Sequence, residues 1–206
     1  QKQNQSQENA LIYLIYLCPL KEVFNDLRAL NYLTLSTNNL TMLPDGLFFG
    51  LGNLVELYLQ RNQLITLSSN VFSNTNLRIL AVSFNKLVSL HDSPFHNVSS
   101  LQYLFLNNNQ LQRLDPSLFR GLFHLKFLYL QTNRLKHINV HIFEDTVAIT
   151  YLDLTNNSLK ECPNFKPMTQ LRCLSLRNST LTGINHETFS HLPNNSDLAV
   201  SQHEIC

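Results

Sequence analysis

A spaced pattern of leucines, repeated along most of the chain, constrains the fold more than any other feature. The pattern reads Leu-x-x-Leu-x-Leu-x-x-Asn-x-Leu-x-x-Leu, and its clearest copy runs from Leu101 to Leu114. One such unit cannot bury its own leucines, whereas stacked units bury them together, so the pattern predicts a solenoid. Copies follow at intervals of 22 to 24 residues and start at Leu30, Leu54, Leu77, Leu101, Leu125, Ile149 and Leu171.

Within each copy, the short Leu-x-Leu segment predicts a β-strand, because side chains two residues apart face the same side of a strand. Stacked copies would align these strands into a parallel sheet on the concave side of the solenoid. The Asn of each copy can bond backbone groups that no ladder pairs. The last copy has Ser179 in its place, so we expect a weaker ladder there. The other copies carry Asn38, Asn62, Asn85, Asn109, Asn133 and Asn157.

A second register of aromatic residues supports the same stacking. In most copies a Phe falls 18 residues after the first Leu, and these residues are Phe48, Phe72, Phe95, Phe119, Phe143 and Phe189. Phe165 comes slightly early, and Phe24 fits the period before the first copy. An aromatic row at one phase of a repeat predicts a stacked core on the convex side.

The repeated pattern resembles that of the leucine-rich repeat proteins over residues 30–193, and its length per unit is typical of the animal extracellular class. The resemblance implies an α/β solenoid, a horseshoe with a parallel concave sheet and mostly irregular convex segments. We expect a polar segment and a degraded first repeat over residues 1–29, then seven repeats over residues 30–193. Residues 194–206 would be a truncated terminal repeat or the start of a hinge, with Leu198 and Val200 in the Leu-x-Leu phase.

Charge and hydropathy limit the partners. A net charge of +1 gives no bulk attraction for nucleic acid or an anionic membrane, so we expect neither as a partner. The longest apolar run, Ala10 to Leu17, is shorter than the roughly 20 residues that a membrane helix needs. Attachment to a membrane would therefore require a segment outside this chain. The oligomeric state is not readable from the sequence.

Glycosylation motifs favour an extracellular setting. Five Asn-x-Ser/Thr sequons fall in repeat or end segments that should be exposed, and these are Asn39, Asn97, Asn156, Asn178 and Asn194. A sixth sequon begins at Asn4. The alternative is that an Asn-rich intracellular protein contains them by chance. The four cysteines do not settle the redox compartment, and no pair of them has zinc-site spacing.

The concave face is predicted to carry a contiguous aromatic field over repeats two to six. Exposed apolar surface is costly unless something covers it, and aromatic side chains are preferred anchors of protein interfaces. We therefore expect a protein or peptide ligand there; the alternative is cross-strand packing that only stabilises the sheet. The candidate ligand-binding residues are Glu56, Tyr58, Tyr103, Phe105, Phe127, Tyr129, Tyr151 and Asp153.

No residues form a convincing catalytic or metal-binding pattern. His137 and His141 lie four apart on a return segment without a nearby third ligand, and Cys173 has only distant histidines. The chain has no Gly-rich phosphate loop. An open concave surface also lacks the enclosed pocket that excludes water from a reaction. We predict no enzyme activity, no cofactor and no metal.

The run from Leu171 to Cys206 resembles the exit from the repeat domain in relaxin-type receptors, which are leucine-rich-repeat G-protein-coupled receptors. In that family, a short strand and a hinge cysteine follow the final repeat, and Cys206 would match this cysteine. The resemblance implies the ligand-binding ectodomain of a hormone-type cell-surface receptor in signal transduction. The alternatives are a secreted matrix or adhesion protein and an innate-immune, Toll-like receptor ectodomain.

Overall fold

A computed structural model describes Phe24 and residues 26–90, 93–182, 189–192 and 197–199. These residues form one parallel sheet of eight strands in chain order, with neighbouring strands paired throughout. The strands are β1 (Tyr32–Thr34), β2 (Glu56–Tyr58), β3 (Ile79–Ala81), β4 (Tyr103–Phe105), β5 (Phe127–Tyr129), β6 (Tyr151–Asp153), β7 (Cys173–Ser175) and β8 (Asp197–Ala199). The predicted solenoid with a parallel concave sheet is confirmed.

The strands pair in the register of the leucine pattern. Leu104 of β4 lies opposite Leu128 of β5, and each is fully buried at the centre of its strand. The residues on either side of Leu104 and Leu128 are half-buried on the opposite, concave face. A slip of one residue would move every leucine to that face, so burial fixes the register. In β8, Leu198 lies opposite Leu174.

Each strand is followed by a sharp change of direction at one fixed position. The eighth residue of all seven copies has a positive φ between 54° and 59°. Only Gly, and to a lesser extent Asn or Asp, adopts this left-handed conformation at low cost, yet Thr37, Arg61, Phe84 and Thr132 adopt it here. Backbone bonds to the next repeat hold the turn, as in Thr132 N to Thr155 O at 2.8 Å. The turn directs the following Asn into the core.

The asparagines of the pattern form a buried ladder between repeats. The side-chain amide of Asn133 donates to Leu130 O in its own repeat and to Leu106 O in the preceding one, both at 3.0 Å. Its Oδ1 accepts from Leu111 N at 3.1 Å. Equivalent bonds to the preceding repeat are made by Asn62, Asn85, Asn109 and Asn157. These hydrogen bonds join adjacent repeats, which is the structural role predicted for the asparagines.

The ladder stops at the seventh copy, where Ser179 replaces Asn. The hydroxyl oxygen of Ser179 is buried without a hydrogen-bond partner, and Thr180 Oγ1 donates to Leu159 O instead, at 3.1 Å. Ser is too short to reach the backbone groups that the Asn side chain bonds. The expected weakening of the ladder near this end is therefore present.

We expect Ser179→Asn to raise the free energy of unfolding by about 1 kcal/mol, because the new amide can bond both repeats as Asn157 does. Urea unfolding followed by circular dichroism measures the change. Ser158→Asn places the same residue at an exposed position and should alter stability by less than about 0.5 kcal/mol. Equal effects of the two substitutions would contradict the explanation.

The convex side is built from turns around a stack of phenylalanines. The rings of Phe119 and Phe143 are 6.2 Å apart and nearly parallel, and Phe143 is 6.2 Å from Phe165. Phe24 stacks on Phe48 at 5.9 Å, which extends the row before the first full copy. Across the described ranges, no helix has the length and apolar character needed to cross a bilayer.

Candidate functional site

Five aromatic rings from three adjacent strands meet on the concave face. β4, β5 and β6 place the third residue of each pattern in one row, where Tyr103 stacks on Phe127 at 4.7 Å and Phe127 lies 6.1 Å from Tyr151. The parallel register brings these residues directly opposite one another. All three side chains are half-buried, so part of each ring is open to solvent.

A second row, two residues further along the strands, joins the first. Phe105 stacks on Tyr129 at 4.6 Å with an interplanar angle of 9°, and Tyr129 contacts Tyr151 at 4.9 Å. We call Tyr103, Phe105, Phe127, Tyr129 and Tyr151 the aromatic patch. Stacked pairs of this kind stabilise a sheet by about 0.5–1.5 kcal/mol each. The patch therefore contributes to folding and also presents a continuous apolar surface.

Tyr58 and Glu56 lie apart from this patch. β3 carries Ile79 and Ala81 at the positions that hold aromatic rings in β4, so the rings are interrupted at the third repeat. Tyr58 instead pairs with Tyr32 at 5.3 Å. The expected contiguous field over repeats two to six is thus two clusters, because the substitution of Ile and Ala leaves no ring to bridge them.

The two acidic candidates are each tied to neighbouring groups. Tyr58 Oη donates to Glu56 Oε2 at 2.9 Å, and burial, followed by this bond, raises the pKa of Tyr58 to about 12. Asp153 Oδ1 accepts from Thr155 N at 2.9 Å. Burial raises the pKa of Tyr129, and the negative charge of Asp153 raises it further. Asp153 therefore lies at the edge of the aromatic patch, whereas Glu56 belongs to the Tyr32–Tyr58 pair.

Two features of this face were not among the sequence candidates. Tyr32 is 50% exposed and occupies the same position in its repeat as Tyr103. The guanidinium of Arg61 lies 5.0 Å from the centre of the Phe84 ring, and both residues occupy the left-handed eighth position. The repeat register alone places Tyr32 on this face, beside the candidate ligand-binding residues. The Arg61–Phe84 contact depends on the turn, which the residue types do not indicate.

The sequons occupy different surfaces of the solenoid. Asn39, Asn97, Asn156 and Asn178 are exposed, whereas Asn194 lies outside the described residues. Asn156 and Asn178 share the eighth position of adjacent repeats, and Asn178 Nδ2 donates to Asn156 Oδ1 at 2.7 Å. Attachment of glycans at these residues stays a prediction.

The described part of the chain contains two of the four cysteines and several of the histidines. Cys162 and Cys173 are half-buried thiols, and burial raises the pKa of Cys162 to about 11. His141 contacts Glu144 on the convex side. Across the described ranges, no three His, Cys, Asp or Glu residues converge to hold a metal ion. Cys18 and Cys206 lie outside those ranges.

Comparisons with solved structures find the same architecture. The chain is 29% identical to the protein in a TLR13–ssRNA13 complex, with a TM-score of 0.78 over 87% of this chain and 26% of that one. It is 26% identical to a chain of the Drosophila Toll–Spatzle complex, with a TM-score of 0.67 over 86% of this chain and 29% of that one. The chain thus spans less than a third of either protein.

A leucine-rich repeat protein of Leptospira interrogans has the same fold, with 24% identity and a TM-score of 0.74 over 85% of this chain and 44% of that one. No curated protein matches the chain. The family model described as leucine rich repeat matches residues 21–74 and 75–135, which is more than half of the sequence. The chain therefore belongs to the leucine-rich repeat family.

Proposed function

We propose that this chain is a non-catalytic recognition module that binds a protein or peptide ligand on its concave face. The observation that carries the proposal is the aromatic patch, whose five rings are pre-stacked and half-exposed on an open sheet. Rigid aromatic side chains bury much area on binding and lose little rotational freedom, which makes them effective interface anchors.

Cross-strand stacking alone is a weaker explanation of the patch. Ile79 and Ala81 occupy the same two positions in β3, so the sheet does not need aromatic residues there in order to form. A solvated face could be built equally well from polar residues, as Ser175 of β7 indicates. Concentration of the rings in β4–β6 therefore favours a ligand at the centre of the arc.

The proposed setting is the extracellular part of a cell-surface receptor. The Toll–Spatzle complex and the TLR13 complex supply two related receptors that are bound to ligands, a protein in one case and RNA in the other. The exposed sequons at Asn39 and Asn97 agree with secretion. The exclusion of nucleic acid as a partner was expected from the net charge alone, and a net charge does not describe the charge of a local surface. The TLR13 complex, in which a similar protein is bound to RNA, gives that exclusion no support.

The narrower proposal is a hormone-type G-protein-coupled receptor, and it rests on the resemblance of residues 171–206. A Toll-like receptor ectodomain and a secreted matrix or adhesion protein are the other candidates. The coding sequence after Cys206 separates them. Seven apolar spans would support the first candidate, one span with a signalling domain would support a Toll-like receptor, and a stop codon would favour a secreted protein.

Binding is tested with the double variant Tyr103→Ala and Tyr129→Ala, which removes one ring from each row of the aromatic patch. Peptides selected from a phage-displayed random library against the unmodified protein are the probes. We expect their affinity for the variant to fall at least about a hundredfold, since interface aromatics often contribute about 2 kcal/mol each.

The matched control is Phe49→Ala with Phe123→Ala, two exposed rings outside the patch. Circular dichroism must show the parallel sheet in both double variants. Peptides that lose affinity only for the patch variant would support the proposal. Peptides that bind both variants as well as the unmodified protein, or a failure to select any peptide, would contradict the assignment of this face.

A further inference from the structure

A second ladder runs along one flank of the solenoid, beyond the turn that ends each strand. There the tenth residues of repeats two to six, and the twelfth residues of four repeats, donate to the backbone of the preceding repeat. Arg134 N donates to Leu111 O at 2.9 Å, and Lys160 N donates to Lys136 O at 3.4 Å. Neighbouring chain segments on this flank are therefore spaced as in a sheet, about 4.8 Å apart.

This flank carries a row of cations. The eleventh residues, such as Leu111, Leu135 and Leu159, are buried, whereas the residues on either side of them face outward. The exposed cations at these positions, together with the exposed Arg113 at the thirteenth position, define the basic strip, which consists of Lys86, Arg113, Arg134, Lys136 and Lys160. Within the described ranges, none of the five forms an ion pair. The whole chain has a net charge of only +1, so positive charge is concentrated on this flank.

The acidic groups nearest in sequence do not cancel this charge. Glu161, which follows Lys160, and Asp115, two residues after Arg113, are the acidic residues closest to the strip along the chain. Glu161 is exposed, and Asp115 accepts hydrogen bonds from Ser117 N and Oγ, so each supplies one negative charge. Five cations with two nearby acids leave an excess of positive charge over a few repeats. The resulting positive electrostatic potential attracts polyanions.

We propose that the basic strip binds a sulfated polysaccharide chain, independently of the ligand on the concave face. Protein interfaces are depleted of Lys and have an apolar centre. On this flank the exposed apolar side chains of Ile65 and Val88 lie in the repeats before Arg113, and the twelfth positions that follow hold Gln112, Lys136 and Lys160. Single-stranded nucleic acid binds through aromatic side chains on which its bases stack. The aromatic ring beside the strip, Phe84, lies next to Lys86 at one end, and the Arg61 guanidinium lies over it. A sulfated sugar chain requires only spaced cations and hydrogen-bonding groups, which Gln110, Gln112 and Ser158 supply alongside the cations.

The strip and the aromatic patch lie on different sides of the left-handed turn. The patch precedes that turn in each repeat, and the strip follows the buried Asn after it. A polysaccharide on the flank would therefore leave the concave rings open. One molecule could bind its protein ligand while attached to a sugar chain of the cell surface or matrix.

The test compares two variants that each remove three exposed cations. Arg134→Gln, Lys136→Gln and Lys160→Gln change the strip, whereas Arg78→Gln, Lys126→Gln and Arg172→Gln change cations at the second position of three repeats. Heparin oligosaccharides are the probe, measured by titration calorimetry at about 0.15 M salt. We expect the strip variant to lose at least about tenfold in affinity and the control to lose less than about threefold.

Two further probes separate the alternatives. Desulfated heparin of the same length should bind neither variant nor the unmodified protein, and single-stranded polyuridine should bind the unmodified protein more weakly than heparin does. Equal losses in both triple variants would mean that net charge alone attracts heparin and would overturn the proposal. Tighter binding of polyuridine would overturn the assignment to a polysaccharide, as would undetectable heparin binding by the unmodified protein.

Discussion

Asn133→Ala is expected to lower the free energy of unfolding by about 3 kcal/mol or more. The substitution removes three buried hydrogen bonds and leaves Leu111 N without its acceptor. Leu106 O keeps the amide of Asn109 and Leu130 O keeps the amide of Asn157. Each lost hydrogen bond costs about 0.5–1.5 kcal/mol, and a buried donor left unsatisfied, here Leu111 N, costs about 1–3 kcal/mol. Because these bonds link two repeats, both lose support at once. Urea unfolding followed by circular dichroism measures the change, since the chain has no Trp.

Asn38→Ala is the matched control, because Asn38 occupies the same position in the first copy. Among the described residues, its side-chain amide donates to Leu35 O and Ser36 O, both within its own repeat, and Asn38 is half-buried. We expect Asn38→Ala to cost about 1 kcal/mol. A cost as large as that of Asn133→Ala would mean that the bonds between repeats contribute little.

Phe143→Ala is expected to lower the free energy of unfolding by about 4 kcal/mol. Phe143 is fully buried between Phe119 and Phe165, with ring centroids 6.2 Å away on both sides. Large-to-small substitutions in a core cost about 3–5 kcal/mol for Phe, and more where the cavity cannot collapse. The sheet and the asparagine ladder hold the neighbouring repeats at fixed spacing, so the cavity cannot close.

The control for this substitution is Phe123→Ala. Phe123 is 53% exposed on the surface of the fourth repeat, so its removal leaves no cavity. We expect its cost to stay below about 1 kcal/mol. The difference between the two variants isolates the contribution of the phenylalanine stack, and the same urea experiment measures both. Similar costs would show that the stack is not a rigid part of the core.

The sequence predicted the fold well because both of its registers report burial directly. Leu104 and Leu128 are buried at the centres of their strands, as the leucine spacing predicts. The Phe residues are buried at the positions that their period predicts. The eighth-position turn was not predictable from residue type, because Thr, Arg and Phe all disfavour a positive φ. Backbone hydrogen bonds between repeats impose that conformation, and the sequence of a single repeat does not reveal these bonds.

The candidate site was only partly predictable. Repeat register placed Tyr103, Phe127 and Tyr151 in one row, and the structure brings those rings into contact. The break at Ile79 and Ala81 was readable from the same register, but its effect depends on ring separations that a sequence does not contain. The basic strip was missed because its cations become neighbours only when the flank of each repeat forms its own ladder.

The short side chain of Ser179 has a mechanical consequence. Pulling on the carboxyl end of the chain would load the last coils first, and the seventh coil lacks the amide clamp that joins the earlier ones. In a solenoid each repeat contacts only its neighbours, so unfolding under force begins at the weakest interface between repeats. Under tension the seventh repeat would therefore unfold first, while the repeats that carry the aromatic patch stay folded.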